Sequence, residues 1–207
     1  MQTADIIMLC AGTSSRMGKT NKMLLPFKGL TLASYSCMEA LKYLSSLEDG
    51  GHLIVVTGYR HRELLSSLKP CRSFIEKTDK KVSMTIVRNE NYRAGQFSST
   101  KKGAMELRDG VSFFISLADM PFVKEENYSL LGELPPSCMA IRPFFENTPG
   151  HPVLHAPLFK EKILTSSDNL SIRELLKTET VYEKHFTDRS WVVDLDTEED
   201  LRLSQIL

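Results

Sequence analysis

The hydrophobic positions of the chain fall into short continuous runs separated by longer amphipathic segments. Five runs have the length of a strand: residues 5–10 (DIIMLC), 52–58 (HLIVVTG), 82–87 (VSMTIV), 112–119 (SFFISLAD) and 139–144 (MAIRPF). Because these runs are continuous rather than alternating, we expect the strands to be buried on both faces. Between the first two runs, apolar residues recur at a spacing of three and predict a helix over residues 31–47, which Gly50 and Gly51 would end.

The remaining pattern continues the alternation of strand and helix. Helices are expected over residues 60–68, 98–107 with Ser98 as N-cap, 124–131, 158–164 and 170–177, and from Thr197 onward; strands are expected over residues 181–186 and in WVVDLD, residues 191–196. This order predicts an α/β fold of Rossmann-like, doubly wound type. Its sheet would be mostly parallel, with helices on both faces and ligands at the carboxyl ends of the strands.

Size and composition narrow the class of protein. A chain of 207 residues with 42% hydrophobic content fits one domain with one sizeable core. Twenty-six basic and 26 acidic residues give a net charge of zero, which argues against a nucleic-acid partner. The four cysteines show no metal or disulfide spacing, so we expect a protein of the reducing cytoplasm. The first apolar run is too short to span a bilayer, so we expect no membrane contact.

The first strand runs into the loop LCAGTSSRMGKTNK, residues 9–22. A Walker A loop has four residues between its glycines, whereas five separate Gly12 from Gly18 here. The extra residue would re-aim the backbone amides, and the Walker pattern calls for neither Arg16 nor a cation at Lys22. A P-loop NTPase therefore remains only as an alternative.

The position of this loop, directly after a buried strand, is where a doubly wound sheet receives phosphates. Its small residues allow the backbone to approach an anion closely; they are Ala11, Gly12, Thr13, Ser14 and Ser15. Arg16 offers a bidentate guanidinium, while Lys19 and Lys22 offer point charges. The alternative is a surface turn with solvated cations, which the strand before it and the NKMLLPFKG segment after it make less favourable.

Three carboxylates are candidates for a Mg²⁺ site. Asp119 closes the apolar run SFFISLAD, and Mg²⁺ commonly takes one or two carboxylates together with substrate phosphates. Asp194 and Asp196 would share one face of the strand expected at WVVDLD, so either could join Asp119. The structural alternatives are that Asp119 caps the turn before Pro121 and that Asp196 caps the last helix.

Several stretches of the chain resemble the molybdenum cofactor cytidylyltransferases and stand in the order that this family shows. They are LCAGTSSRMG, NKMLL, VTGY, NENYRAGQFSST, LADMPFV, RPFFENTPGHPVL and DLDTEEDL. The cytidylyltransferases belong to the larger group of MobA-like nucleotidyltransferases, whose sheet is of the nucleotide-diphospho-sugar transferase type. The resemblance covers most of the chain. It implies a nucleotide-binding half over residues 1–120 and an acceptor-binding half over residues 121–207.

The resemblance also implies roles for particular residues. Arg16 and Lys22 would bind the triphosphate, Asp119 would hold the catalytic Mg²⁺, and Asp194 or Asp196 would help to hold it. The nucleotide would further contact Leu9, the loop residues 11–15, Gly58, Asn89, Ser98 and His151. From residue type alone, a histidine in a Gly/Pro-rich turn and an asparagine in a loop more often have a structural role. Ala11–Gly12 stands where relatives that use GTP usually have Gly-Gly, which favours CTP.

The reaction implied is transfer of CMP from CTP to the phosphate of molybdopterin or molybdenum cofactor, with release of pyrophosphate. Two segments depart from the family pattern: Cys10 replaces a usual alanine, and SDNLSIREL lacks the glycines that often precede the arginine of the expected pterin-binding wall. Two alternatives concern the substrates of the same reaction: GTP as donor, or another phosphorylated acceptor. Two others concern the class of protein: a P-loop NTPase, or a non-catalytic cofactor carrier. Maturation proteins of molybdoenzymes are the macromolecular partners that the resemblance suggests.

Overall fold

The computed structural model describes residues 1–12, 21–78 and 81–195. Its strands are β1 (Ala4–Cys10), β2 (Pro26–Phe27), β3 (Leu30–Thr31), β4 (Gly51–Thr57), β5 (Val82–Arg88), β6 (Phe113–Leu117), β7 (Ala140–Phe145), β8 (Thr148–Pro149), β9 (Val153–His155) and β10 (Val181–Phe186). Its helices are α1 (Leu32–Ser46), α2 (His61–Ser67), α3 (Lys69–Lys77), α4 (Gln96–Ala104), α5 (Glu125–Leu131), α6 (Phe159–Thr165) and α7 (Ile172–Leu176). Among the helices so described, none is long and apolar enough to cross a membrane.

Eight strands form one sheet in the order β10-β7-β9-β6-β1-β4-β5, with β8 paired to β7. Strand β1 lies at its centre and pairs in parallel with β4 and β6. Strand β9 runs antiparallel to both β6 and β7, and β8 runs antiparallel to β7. The predicted α/β fold with a mostly parallel sheet is therefore confirmed, with a reversed strand inserted on the side of the second half of the chain.

The continuous apolar runs are explained by burial on both faces of the sheet. All seven residues of β1 are buried, and successive residues feed two different cores. Ile6 and Met8 pack in the core under α1, α3 and α5, whereas Ile7 and Leu9 pack in the core under α4, α6 and α7. Helices thus cover both faces, as the alternation of elements predicts.

Several predicted element ends are wrong for local reasons. Helix α1 has its C-cap at Leu47, and Gly51 already begins β4, so the glycine pair follows the helix instead of capping it. Ser98 is not an N-cap: the cap of α4 is Gly95, and the helix ends at Ala104 rather than at residue 107. A second helix, α3, follows Leu68, where the sequence predicts an end.

The strand predicted at WVVDLD is also wrong over its described part. Arg189–Trp191 forms a 3-10 turn, and residues 192–195 contain no strand. The backbone there bonds to loops instead of to a neighbouring strand, because the Trp191 carbonyl accepts from the His151 N–H at 2.9 Å and the Leu195 N–H donates to the Asp119 carbonyl at 2.9 Å. The final helix expected from Thr197 lies outside the described residues.

Candidate nucleotide and acceptor site

The loops at the carboxyl ends of β1, β4 and β5 lie against one another. Gly58 follows β4, and a Cβ atom built there would lie 3.0 Å from the Ala11 carbonyl oxygen and 2.6 Å from the Tyr92 Cβ. The Asn89 N–H, after β5, donates to the Thr57 carbonyl at 2.8 Å. The structure therefore brings together at one edge the residues that the sequence places after separate strands, as expected for the ligand edge of a parallel sheet.

Lys22 and Asp119 form an ion pair at this edge, with 2.7 Å between Nζ and Oδ2. Their side chains are 11% and 19% exposed, so water screens the pair only in part. Lys22 begins a short 3-10 turn whose N-cap, the fully buried Asn21, accepts a bond from the Met23 N–H and donates to the Tyr59 carbonyl. Asp119 lies in the turn after β6, two residues beyond the end of the strand at Leu117.

Asp194 belongs to the segment that reaches this turn. It is exposed, and its neighbour Leu195 donates the backbone bond to Asp119 described above. Within residues 1–12, 21–78 and 81–195, no group of three or more histidine, cysteine, aspartate or glutamate side chains is arranged to hold a metal ion. Asp119 supplies a carboxylate oxygen of the kind that Mg²⁺ or Mn²⁺ takes when substrate phosphates complete its shell.

Asn89 and Ser98 hold the loop between β5 and α4 in shape. The buried Asn89 amide donates to Ser98 Oγ at 2.9 Å and to Ser99 Oγ at 3.0 Å, while its oxygen accepts from the Asn91 N–H. Ser98 Oγ donates to the Gly95 carbonyl at 2.8 Å. These bonds occupy both side chains, so they shape the loop that faces the ligand edge.

The loop residues divide between described and undescribed positions. Leu9 and Ala11 are buried, whereas Gly12 is exposed with open space around it. Thr13, Ser14, Ser15 and Arg16, together with Asp196, lie outside the described residues. Their roles stay predictions.

His151 lies beside this edge, in the segment that leads into β9. Its Nδ1 is 3.3 Å from the Ile115 carbonyl oxygen. The pKa of His151 is lowered to about 4, mainly by burial and also by the positive charge of Arg142, while the Ile115 carbonyl and Asp119 oppose the shift. The imidazole is therefore neutral at neutral pH.

A cavity of about 500 Å³ extends from Leu9 and His151 toward the second half of the chain. Its walls come from the start of α4, from β6, β7 and β9, and from the segment 168–173. The titratable side chains on these walls are His151, His155, Arg142, Asp168 and Arg173. The segment that departs from the family pattern thus forms one wall of the cavity.

Arg142 and His155 were missed as candidates. Arg142 interrupts the apolar run MAIRPF, and a basic residue inside a buried strand is a signal that the sequence does contain. His155 ends the short run VLH and is fully buried, with neither ring nitrogen in a well-aligned hydrogen bond to a described residue. Both residues come from strands whose neighbours could not be deduced from the chain order.

A buried lysine paired with a carboxylate at the carboxyl ends of parallel strands is the arrangement expected of an α/β enzyme that binds a nucleotide. Residues 6–185 match the family model of the MobA-like NTP transferase domain, and the chain belongs to this family. As a member of this family, the protein is a nucleotidyltransferase.

Individual relatives agree with this assignment. The chain is 28% identical over 200 residues to the molybdenum cofactor cytidylyltransferase of Escherichia coli strain K12, covering 97% of this chain and 94% of that protein. A nucleotidyl transferase from Methanothermobacter has a similar fold, with a TM-score of 0.75 and 17% identity over 98% of this chain and 96% of that one. The Rv0371C protein of Mycobacterium tuberculosis H37Rv, in complex with manganese, has a TM-score of 0.65 and 16% identity over 98% and 97% of the two chains.

Proposed function

We propose that the protein transfers CMP from CTP to the terminal phosphate of a molybdopterin-type acceptor, with the help of Mg²⁺, and releases pyrophosphate. The observation that carries this proposal is the Lys22–Asp119 pair at the ligand edge, next to the Ala11–Gly12 loop. The extent of the similarity to the E. coli cytidylyltransferase supports the choice of acceptor.

The chemistry requires positioning and charge neutralisation. An oxygen of the acceptor phosphate attacks the α-phosphorus of CTP, the bond from that phosphorus to the bridging oxygen of pyrophosphate breaks, and a new phosphoanhydride forms. Lys22, which pairs with Asp119 in this structure, would instead bind the triphosphate when Asp119 binds the metal. Asp119, with Asp194 or Asp196, would hold Mg²⁺, which when bound offsets negative charge on the phosphates.

No general base is needed, because a phosphate nucleophile is already ionised at neutral pH. This agrees with the low pKa of His151, which would be a weak base. Gly58, Asn89 and Ser98 would shape the nucleotide side of the site. Selection of cytosine would come from the backbone around Leu9 to Gly12, because phosphate contacts are common to all nucleotides.

The deciding experiment measures pyrophosphate release with each of the four ribonucleoside triphosphates, with and without molybdopterin. We expect release only when acceptor and Mg²⁺ are both present, and a kcat/KM for CTP at least about tenfold above that for GTP, equivalent to about 1.4 kcal/mol. A preference for GTP would overturn the choice of nucleotide. Nucleoside diphosphate and inorganic phosphate as products would favour an NTPase, and tight pterin binding without turnover would favour a cofactor carrier.

A further inference from the structure

Arg142 is a half-buried cation that forms no ion pair with another residue of the described part of the chain. Its Nε is buried and has no hydrogen-bond partner. Burial lowers the pKa of Arg142, the neighbouring Arg173 lowers it as well, and Glu183 opposes them. Glu183 lies opposite Arg142 in the register of β10 and β7, yet the ion pairs among the described residues involve neither arginine. Leaving the buried Nε–H without a partner costs free energy that a bound anion would offset.

The one carboxylate among the described residues that line the cavity is already paired with another cation. This carboxylate is Asp168, which pairs with Lys101 at 2.6 Å, and Lys101 also donates to the Ser166 carbonyl. The two histidines of the cavity are neutral, since burial lowers the pKa of His151 to about 4 and that of His155 to about 3. The titratable groups of this cavity therefore leave a net positive field at Arg142 and Arg173.

The cavity is adjacent to the proposed reaction centre. His151 and Arg142 line the same cavity, and the carbonyl of Leu9, which also lines it, accepts from the N–H of Ala118, the neighbour of Asp119, at 3.2 Å. Leu9, at the end of β1, lines the cavity and also precedes the nucleotide loop. An anion held at Arg142 would thus lie in the cavity that Leu9 joins to the ligand edge.

We propose that Arg142 and Arg173 bind the phosphate of the acceptor and thereby determine which molecules can accept the nucleotide. This inference rests on the proposed function. The acceptor it describes is a phosphate monoester with a body apolar enough to contact Ile115, Val153 and Leu176, which line the same cavity. Two guanidiniums suit a phosphate because each can donate two parallel hydrogen bonds to its oxygens.

The first test separates acceptor binding from nucleotide binding. We would measure steady-state pyrophosphate release with CTP and molybdopterin for Arg142→Gln, Arg173→Gln and Arg142→Lys. Each glutamine variant should raise KM for the acceptor at least about tenfold while KM for CTP stays within about twofold, since a hydrogen bond to a charged group is lost. Arg142→Lys should recover part of the loss, because it keeps the charge without the fork. Arg72→Gln, at an exposed position on α3, is the matched control and should change neither KM.

The second test does not depend on turnover. Isothermal titration calorimetry with inorganic phosphate, in the presence of saturating CTP, would measure the anion site directly, with melting curves to show that each variant is folded. Phosphate affinity should fall at least about tenfold in Arg142→Gln and stay unchanged in Arg72→Gln.

The two tests distinguish this inference from the proposed function. If no nucleotide supports pyrophosphate release, the titration is repeated without CTP, and a loss of phosphate affinity in Arg142→Gln would still establish the anion site while the proposed function fails. If wild-type turnover is as proposed, an unchanged acceptor KM in Arg142→Gln would overturn the inference. An unchanged phosphate affinity in that variant would overturn it whatever the turnover.

Discussion

His155 permits a prediction whose size follows from its surroundings. The imidazole is fully buried in β9, between the rings of Phe113 and Phe159, with centroid distances of 5.2 and 4.8 Å. Neither ring nitrogen makes a well-aligned hydrogen bond to a described residue, although the backbone of Val153 and Phe113 opposes the effect of burial on the pKa. Burial is the main cause that lowers its pKa from 6.5 to about 3, so the folded protein keeps this side chain neutral across the ordinary pH range.

The perturbation is His155→Phe. At pH 8, where the imidazole is neutral in both states, the change removes a buried N–H without a well-aligned partner, which is worth about 1–3 kcal/mol, and adds some strain from a larger ring. Between the folded and unfolded pKa values the unfolded chain binds more protons, so wild-type stability falls as pH falls from 6.5 toward 3. Linkage puts the loss from this residue at about 2 kcal/mol between pH 8 and pH 5, and the phenylalanine variant does not suffer it.

The assay is urea unfolding of wild type and variant at pH 8 and at pH 5, with equal m-values as the check that the unfolded states match. The stability advantage of His155→Phe should grow by about 2 kcal/mol on going to pH 5, since contributions from groups such as His151 cancel in the comparison. His185→Phe, at an exposed position of β10, is the matched control. A difference between wild type and His155→Phe that is the same at both pH values would refute the reasoning.

Three further predictions concern the ligand edge. Asp119→Asn should lower kcat/KM by about 10²–10³-fold, by analogy with the loss of one transition-state donor. It should also lower the melting temperature, because it removes the negative charge beside the buried Lys22, so activity is measured well below the melting temperature of the variant. Pyrophosphate release near the wild-type rate would remove Asp119 from the mechanism. Lys22→Arg should recover only part of the activity and CTP affinity lost in Lys22→Ala, as measured by kcat and KM separately, because the guanidinium differs in size and shape. Gly58→Ala should lower the free energy of unfolding by about 1–3 kcal/mol, because its Cβ would lie 2.6 Å from the Tyr92 Cβ. Gly12→Ala should not lower it, because the space around Gly12 is open. Equal denaturation midpoints for the two variants would contradict the packing argument.

The sequence was sufficient to predict the parallel part of the sheet because burial on both faces leaves a local signal. Residues 181–186 were predicted as a strand and form β10 with the same bounds. Strand β9 left a weaker signal: three residues after a Gly/Pro-rich turn could not reveal that they pair with β6 and β7. The error at WVVDLD has a similar cause, since its backbone bonds go to loops that are distant in the chain.

For the candidate site, too, some residues left a local signal in the sequence and others did not. That Gly58, Asn89 and Asp119 follow strands of one sheet could be predicted, because parallel strands end at a common edge, and their roles in a site stay predictions. The cavity wall could not be identified, because it needs the position of β9 and of the segment 168–173 relative to β7. Arg142 illustrates the difference: its residue type is visible in MAIRPF, but its lack of an ion pair within the described part of the chain depends on the pairing of Asp168 with Lys101.

The central position of β1 has a consequence during synthesis of the chain. One of its edges pairs with β4, which begins at Gly51, and the other with β6, which begins at Phe113. At about 5–20 residues per second, the ribosome needs on the order of 5–20 s to complete the second partner after β1 has been made. An apolar strand with an unpaired edge is prone to associate with other chains. We therefore expect nascent chains that end between β4 and β6 to be bound by chaperones, and release to follow once residue 117 has left the exit tunnel.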